Sequence, residues 1–234
     1  MKPAVPSFPG RGGARRAFTL MELLTVLGVV ALLLTLTMSA MQGSKNRAAI
    51  ARARAELATI AQALEEYKRL YGDYPQTGDF AQASPGTGQT LSLSHAQSKL
   101  FNALTGVFGP RAFTSGDRIN GRVVIDVSKL TMEGTRTANF LIPTGTPPQK
   151  IEETACFLDP WGNRYLYYYK RAGNPNAWFA PTYVLYSVGP DGYDSVSPAP
   201  NTTSLRFPVD GVLTSQFLTN PNNADNLFAN APAQ

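Results

Sequence analysis

Glu22 is a single acid inside a long apolar run. Residues 15–41 read RRAFTLMELLTVLGVVALLLTLTMSAM, and the nineteen residues 23–41 carry no charge. A carboxylate at the centre of a membrane helix costs about 2.5–3.5 kcal/mol on insertion scales. Near the start of a run the cost is lower, but an acid there still asks for a reason. Other chemistry-bearing residue types are sparse. One histidine, His95, and one cysteine, Cys156, do not make up a zinc site with the usual ligands. No motif for Ser-His-Asp catalysis is present, and no GxGxxG or GxxxxGKS points to a nucleotide. Cys156 has no partner for an intrachain disulfide and reads as a buried structural thiol.

A helix must position the run. At 1.5 Å per residue, residues 23–41 make about 28 Å of helix, close to the hydrocarbon thickness of a bilayer. Residues 1–17 are rich in Pro, Gly, Ala and Arg without periodicity, and read as a leader. They hold Lys2, Arg11, Arg15 and Arg16 and no acid, four charges of the formal +5, leaving +1 on the rest. The high pI of about 9.4 thus owes mostly to the leader, and bulk charge gives no reason to expect a nucleic acid. The positive-inside rule keeps the leader cytoplasmic and puts the body outside.

No proline interrupts the chain between Pro9 and Pro75. Ile50, Ala53, Leu57, Ile60, Leu64, Tyr67 and Tyr71 recur at alternating spacings of three and four, which is one narrow apolar stripe on a helix. Arg47, Arg52, Arg54, Glu56, Glu65, Glu66, Lys68 and Arg69 take other positions. The pattern predicts one helix over residues 18–71, about 80 Å long at 1.5 Å per residue. Its first half is apolar all round and its second half is amphipathic. The stripe stops at Gly72-Asp73-Tyr74-Pro75, which favours docking on a sheet over a coiled coil.

Residues 72–90 read as a loop and residues 94–108 as a short helix, capped by Ser94 and ended by Gly109-Pro110. In that helix Leu100, Leu104 and Phe108 share a face. Runs at 122–127, 140–142, 165–170 and 182–187 are β-prone. The last two flank a Gly/Asn/Pro-rich connection and suit an antiparallel pair. Tyr165, Tyr167, Tyr168 and Tyr169 should alternate across a strand, so that half are buried. Without interleaved Arg and Lys they do not read as a base-stacking platform. From Gly189 onward loop signals dominate, with Leu205, Phe207, Val209, Val212, Leu213, Phe217 and Leu218 available as anchors, and residues 228–234 read as a fraying end. The expected class is α+β: a long N-terminal helix packed on a small antiparallel β-sheet, with a long C-terminal loop region.

Residues 16–24, RAFTLMELL, resemble the processing motif of the type IV pilin-like family. Residues 158–165, LDPWGNRY, resemble the D-P-W-G-x-x-Y segment of the major pseudopilins of type II secretion systems. Residues 186–192, YSVGPDG, are similar to their S-x-G-x-D-G loop, and residues 71–75, YGDYP, look like the family's helix exit. The resemblance covers residues 15–75 and 158–192; residues 79–150 and 195–234 do not match it. It implies cleavage by a prepilin peptidase between Ala17 and Phe18, then N-methylation of Phe18. The family usually has glycine where Ala17 stands, and a small residue fits the same subsite. Glu22 becomes the fifth mature residue, paired with the cationic N-terminus of a neighbouring subunit.

The implied organisation is a leader at 1–17, a transmembrane and fibre-core helix at 18–43 and a pilin-like globular domain at 44–234. The implied function is structural and not enzymatic: a subunit that polymerises through its N-terminal helix into a (pseudo)pilus, most closely that of type II secretion. Its partners would be copies of itself, minor pilin-like subunits, the inner-membrane assembly platform and the prepilin peptidase. It would sit in the bacterial inner membrane before assembly and in a periplasmic pseudopilus after it. In that family the C-terminal loop binds calcium through Asp side chains and backbone carbonyls. By motif, Asp191 is a calcium ligand, Asp225 in Ala224-Asp225-Asn226 resembles the second position, and Asp194 is a local alternative. Calcium takes six to eight oxygens; without it Pro190-Asp191-Gly192 is a turn. Trp161 is expected in the core beneath a D-P-W-G turn.

Two other readings stand beside this one. One is a minor pilin of a type IV pilus. The other is an exported binding protein or enzyme held by a conventional signal anchor, with Arg15-Arg16, Phe18 and Leu20 similar to a twin-arginine signal or a cut after Ala40. Against the latter, nineteen uncharged residues exceed a usual apolar signal region of about 7–15, and Met38 stands where a small residue is wanted.

Overall fold

A computed structural model of the chain describes residues 19–77, 82–86, 88–111, 119–134, 150–171, 173–196 and 210–229, without the side chains of 36–42 and 216. The described residues are α+β, with three α-helices and small antiparallel sheets. The chain divides into two compact units, Met1–Asn46 and Arg47–Gln234.

Helix α1 (Leu20–Tyr71) runs for 52 residues from the first unit into the second. In the first unit its large apolar side chains between Leu20 and Leu34 are exposed, from Leu20 at 81 % to Val30 at 45 %. Among the described residues no helix is long and apolar enough to cross a membrane. The expected membrane-spanning stretch runs through residues 36–42, whose side chains lie outside the described residues.

In the second unit the stripe of α1 is buried where the spacing places it. Ala53, Leu57, Ile60, Leu64 and Tyr67 are each at most 1 % exposed, while Ile50 and Tyr71 close the stripe half-buried. Each such aliphatic side chain gains about 1.5–3 kcal/mol from burial. The stripe shares one hydrophobic core with Leu100, Phe101 and Leu104 of helix α2 (Ala96–Leu104) and with the tyrosines of residues 165–169. At the exit Gly72 takes a left-handed φ of 84°, and its N–H closes the helix on the Lys68 carbonyl at 2.7 Å.

Strands β1 (Thr131–Gly134) and β2 (Ala155–Leu158) form a two-stranded antiparallel sheet with Thr131 opposite Leu158. A second sheet has the order β3 (Leu166–Tyr168), β4 (Val184–Ser187), β5 (Leu227–Phe228), all antiparallel. Leu166 faces Tyr186, and Ser187 faces Leu227. The expected pairing of the 165–170 and 182–187 runs is thus found. A one-turn helix α3 (Ser215–Leu218), capped by Thr214, precedes β5.

Several expectations are corrected. Residues 122–127 do not form a strand: the N–H groups of Ile119, Gly121 and Val124 bond the carbonyls of Val107, Gly106 and Leu104, so the segment runs beside the end of α2. Helix α2 is capped at His95 without a side-chain bond, not at Ser94. It ends at Leu104 with Gly106 at φ 81°, because a side chain at Gly106 would meet the Gly121 and Arg122 carbonyls. β1, β2 and β5 were not expected, and Phe228 lies in β5 rather than in a frayed end. All four of the tyrosines in 165–169 are buried, because both faces of this strand are covered. Tyr165, Tyr167 and Tyr169 donate to Glu56, the Pro75 carbonyl and Asp73, while Tyr168 stacks near Tyr186. The 140–142 run and the anchors Leu205, Phe207 and Val209 lie outside the described residues. Phe217 does anchor the C-terminal region, at 0 % exposure, whereas Val212 and Leu218 are exposed.

Candidate functional site

The turn at 159–163, the loop at 187–193 and the segment of Asp225 come together at one corner. Residues 159–163 turn tightly, since Asp159 Oδ1 accepts from the N–H groups of Trp161 at 3.0 Å and Asn163 at 2.8 Å. Asp159 Oδ2 accepts from Ser187 Oγ at 2.5 Å, and Ser187 Oγ in turn accepts from Gly189 N–H at 3.1 Å. Asn163 Nδ2 donates to the Gly189 carbonyl at 2.9 Å. The two motif segments are therefore locked by side chains of the motifs themselves. Burial holds the Asp159 carboxyl above its usual range, opposed by the Ser187 hydroxyl and the two amides. Trp161 is half-buried at the turn rather than a core residue.

Gly189 has φ 76° and lies against Asp225, so a side chain there would meet the Asp225 carbonyl and carboxylate. Asp225 Oδ2 accepts from the Asp191 N–H at 3.3 Å, and Asp191 Oδ1 accepts from the Tyr193 N–H at 2.9 Å. Asp191 and Asp225, 34 residues apart, thus share one corner, with Asp191 exposed. The amide of Asn226 next to them is buried with neither its oxygen nor its nitrogen hydrogen-bonded. Asp194 is occupied differently. It is buried, accepting from Tyr186 Oη at 2.6 Å and from the Val196 N–H at 3.2 Å. Burial raises its carboxyl above the usual range. Carboxylate and amide oxygens are the donor type that a hard cation takes; Asp194 is committed to the core. Among the described residues no group of three or more His, Cys, Asp or Glu side chains stands in a metal-binding arrangement.

At the other end of the chain, Glu22 sits in a capping box. Its Oε2 accepts from the N–H of Thr19 at 2.9 Å and from Thr19 Oγ1 at 3.0 Å, and Thr19 Oγ1 accepts from the Glu22 N–H at 3.2 Å. The processing residues Ala17 and Phe18 lie outside the described residues.

Cys156 is buried as expected, and burial beside Glu133 pushes its thiol up to about 12, which leaves it unreactive. His95 accepts from the Ser92 N–H at its Nδ1 at 3.0 Å, and burial with nearby Arg164 lowers its pKa. Neither forms a catalytic pair.

Thr19-Leu20-Met21-Glu22 carries the T-x-x-E signature of a capping box, the local signal that marks Thr19. Ser187 and Asn163 stand inside the two motifs with no further signal of their roles. The guanidinium of the fully buried Arg164 takes Glu133 at 2.6 and 2.7 Å and the carbonyls of Ser84 and Gln89. No local signal marks a partner 31 residues away. Comparison of the chain with family models, curated proteins and solved structures gives no match.

Proposed function

We propose that the chain is a pilin-like structural subunit that polymerises through its N-terminal helix into a (pseudo)pilus, most closely that of a type II secretion system. One observation carries the reading. Eleven large apolar side chains between Leu20 and Leu34 stand exposed on a single helix whose first turn holds Glu22. A surface of that kind wants lipid or like helices around it. In the proposed sequence of events it lies first in the inner membrane and then in the core of a fibre, with the second unit outside the cytoplasm. The prepilin peptidase, the assembly platform and minor pilin-like subunits would be its partners.

Glu22 has hydrogen-bond donors in Thr19 but no cation among the described residues. The methylated N-terminus of a neighbouring copy would supply the charge, and the pairing would set axial register as a subunit joins. In the second unit Asp191, Asp225 and Asn226 would hold calcium, with nearby carbonyls completing its oxygen shell. The cation would neutralise the two carboxylates and tie the turn at 189–193 to the chain before β5.

Mass spectrometry of the protein purified from its native membrane tests the reading. A mature chain that begins at N-methylated Phe18 is expected. A chain that begins at Met41, or that keeps its leader, overturns it in favour of a conventional signal or anchor.

A further inference from the structure

We infer that Arg47 and Arg54 form a docking face for anionic phospholipid headgroups; this rests on the membrane reading of residues 18–43. The sequence places the charges. From Leu23 to Ala55 the chain has no acid, and its cations there, Lys45, Arg47, Arg52 and Arg54, all follow the uncharged run. Arg47 and Arg54 are seven residues apart on α1, hence on one face and about 10 Å apart along the axis. Both are exposed, and among the described residues neither makes a hydrogen bond or an ion pair.

Arg52 behaves differently and shows what a structural arginine looks like on the same helix. Its Nε pairs with Glu56 at 2.8 Å and its Nη2 donates to Thr131 at 2.7 Å. Glu56 is then spent, since its other oxygen accepts from Tyr165 Oη at 2.7 Å. The face of Arg47 and Arg54 therefore has no acid of its own to satisfy it.

Cations placed directly after an apolar run meet anionic headgroups at the bilayer surface, an attraction that fades within a Debye length. Loss of the leader sharpens the effect. It removes Lys2, Arg11, Arg15 and Arg16 from one side of the apolar run and leaves the arginines of the other side untouched. After processing the excess of positive charge lies on the body side, where headgroups hold the subunit until it leaves for the fibre.

The test is flotation of the detergent-solubilised full chain, diluted into vesicles of phosphatidylcholine alone or with one-third phosphatidylglycerol, at low and high salt. Wild type should float with both, with about tenfold stronger partitioning to the anionic vesicles at low salt. Arg47→Gln/Arg54→Gln should lose that preference, and Arg47→Lys/Arg54→Lys should keep it. A preference that survives the Gln pair, or is absent from wild type, overturns the inference while leaving the anchor intact. No flotation even with neutral vesicles overturns the membrane reading, and the inference with it. If Arg54→Glu blocks fibre formation and Glu65→Arg restores it, the face belongs to a second copy and not to lipid.

Discussion

Asp159 shows how one side chain organises the corner. Its two oxygens take the Trp161 and Asn163 amides and the Ser187 hydroxyl, so a single carboxylate closes one turn and fastens the next. The group is also costly. Burial raises its pKa, with Glu56 adding to the effect against the three hydrogen bonds, and Asp194 is raised by burial as well. A carboxyl whose folded pKa exceeds its unfolded value favours the folded state most below the unfolded value. That contribution is lost as pH rises through the folded value. Stability should therefore fall as the pH climbs above the ordinary carboxylate range toward neutrality. Asp159→Asn can still accept the two amides, and its NH2 can donate to Ser187, so the variant should fold with a flatter profile. Melting temperature against pH for both proteins is the check; parallel curves would show that Asp159 ionisation does not matter.

At the level of elements, α1 divides its labour. Leu64 is fully buried in the core of the second unit, whereas Leu27 is 60 % exposed in the first. Leu64→Ala should cost the body about 2–5 kcal/mol in urea unfolding, because truncation leaves a cavity among well-packed neighbours. Leu27→Ala should leave that unfolding unchanged and instead weaken fibre formation. Equal effects of the two on unfolding would contradict the division. The stripe was legible in the sequence because helical spacing is a local property, and the pairing of β3 with β4 was legible because aromatic runs flank a turn-rich connection. β1 and β2 were not, since Thr131–Gly134 has little β character of its own and is held by a partner more than twenty residues away. The 122–127 run fails in the opposite sense: its propensity is strong, but the Leu104 carbonyl ending α2 takes the Val124 amide and Tyr71 Oη takes that of Arg122. Glu22, Asp191 and Asp225 were readable as motif positions. Thr19 was readable in the T-x-x-E spacing, whereas Asn163 and Asn226 matter through geometry that spacing alone leaves open.

For the whole molecule the question is what holds a C-terminal region so rich in loop signals. No disulfide is available, because Cys156 is the sole cysteine. Part of the answer is packing, since Phe217 and Phe228 lie against Tyr186, with Phe228 stacked at 5.0 Å. The rest is the corner at Asp191 and Asp225, where the Asp225 carboxylate takes the Asp191 N–H across 34 residues of chain. The Asn226 amide beside them is buried without a hydrogen-bond partner among the described residues, which is costly. A bound cation would neutralise the carboxylates, take the Asn226 oxygen and close the loop between them, as a cross-link would. Calcium at about a hundredfold its dissociation constant stabilises a folded state by about 2.7 kcal/mol, or roughly 5–10 °C for a chain of this size. Wild type should show that rise in melting temperature with calcium and lose it with chelator. Asp191→Ala and Asp225→Ala should abolish the rise. Asp194→Asn should melt at a different temperature yet keep the calcium shift, because its carboxylate serves Tyr186. A wild-type melting temperature indifferent to calcium would remove the cation from the corner. The same shift in the Asp191 and Asp225 variants would place it elsewhere.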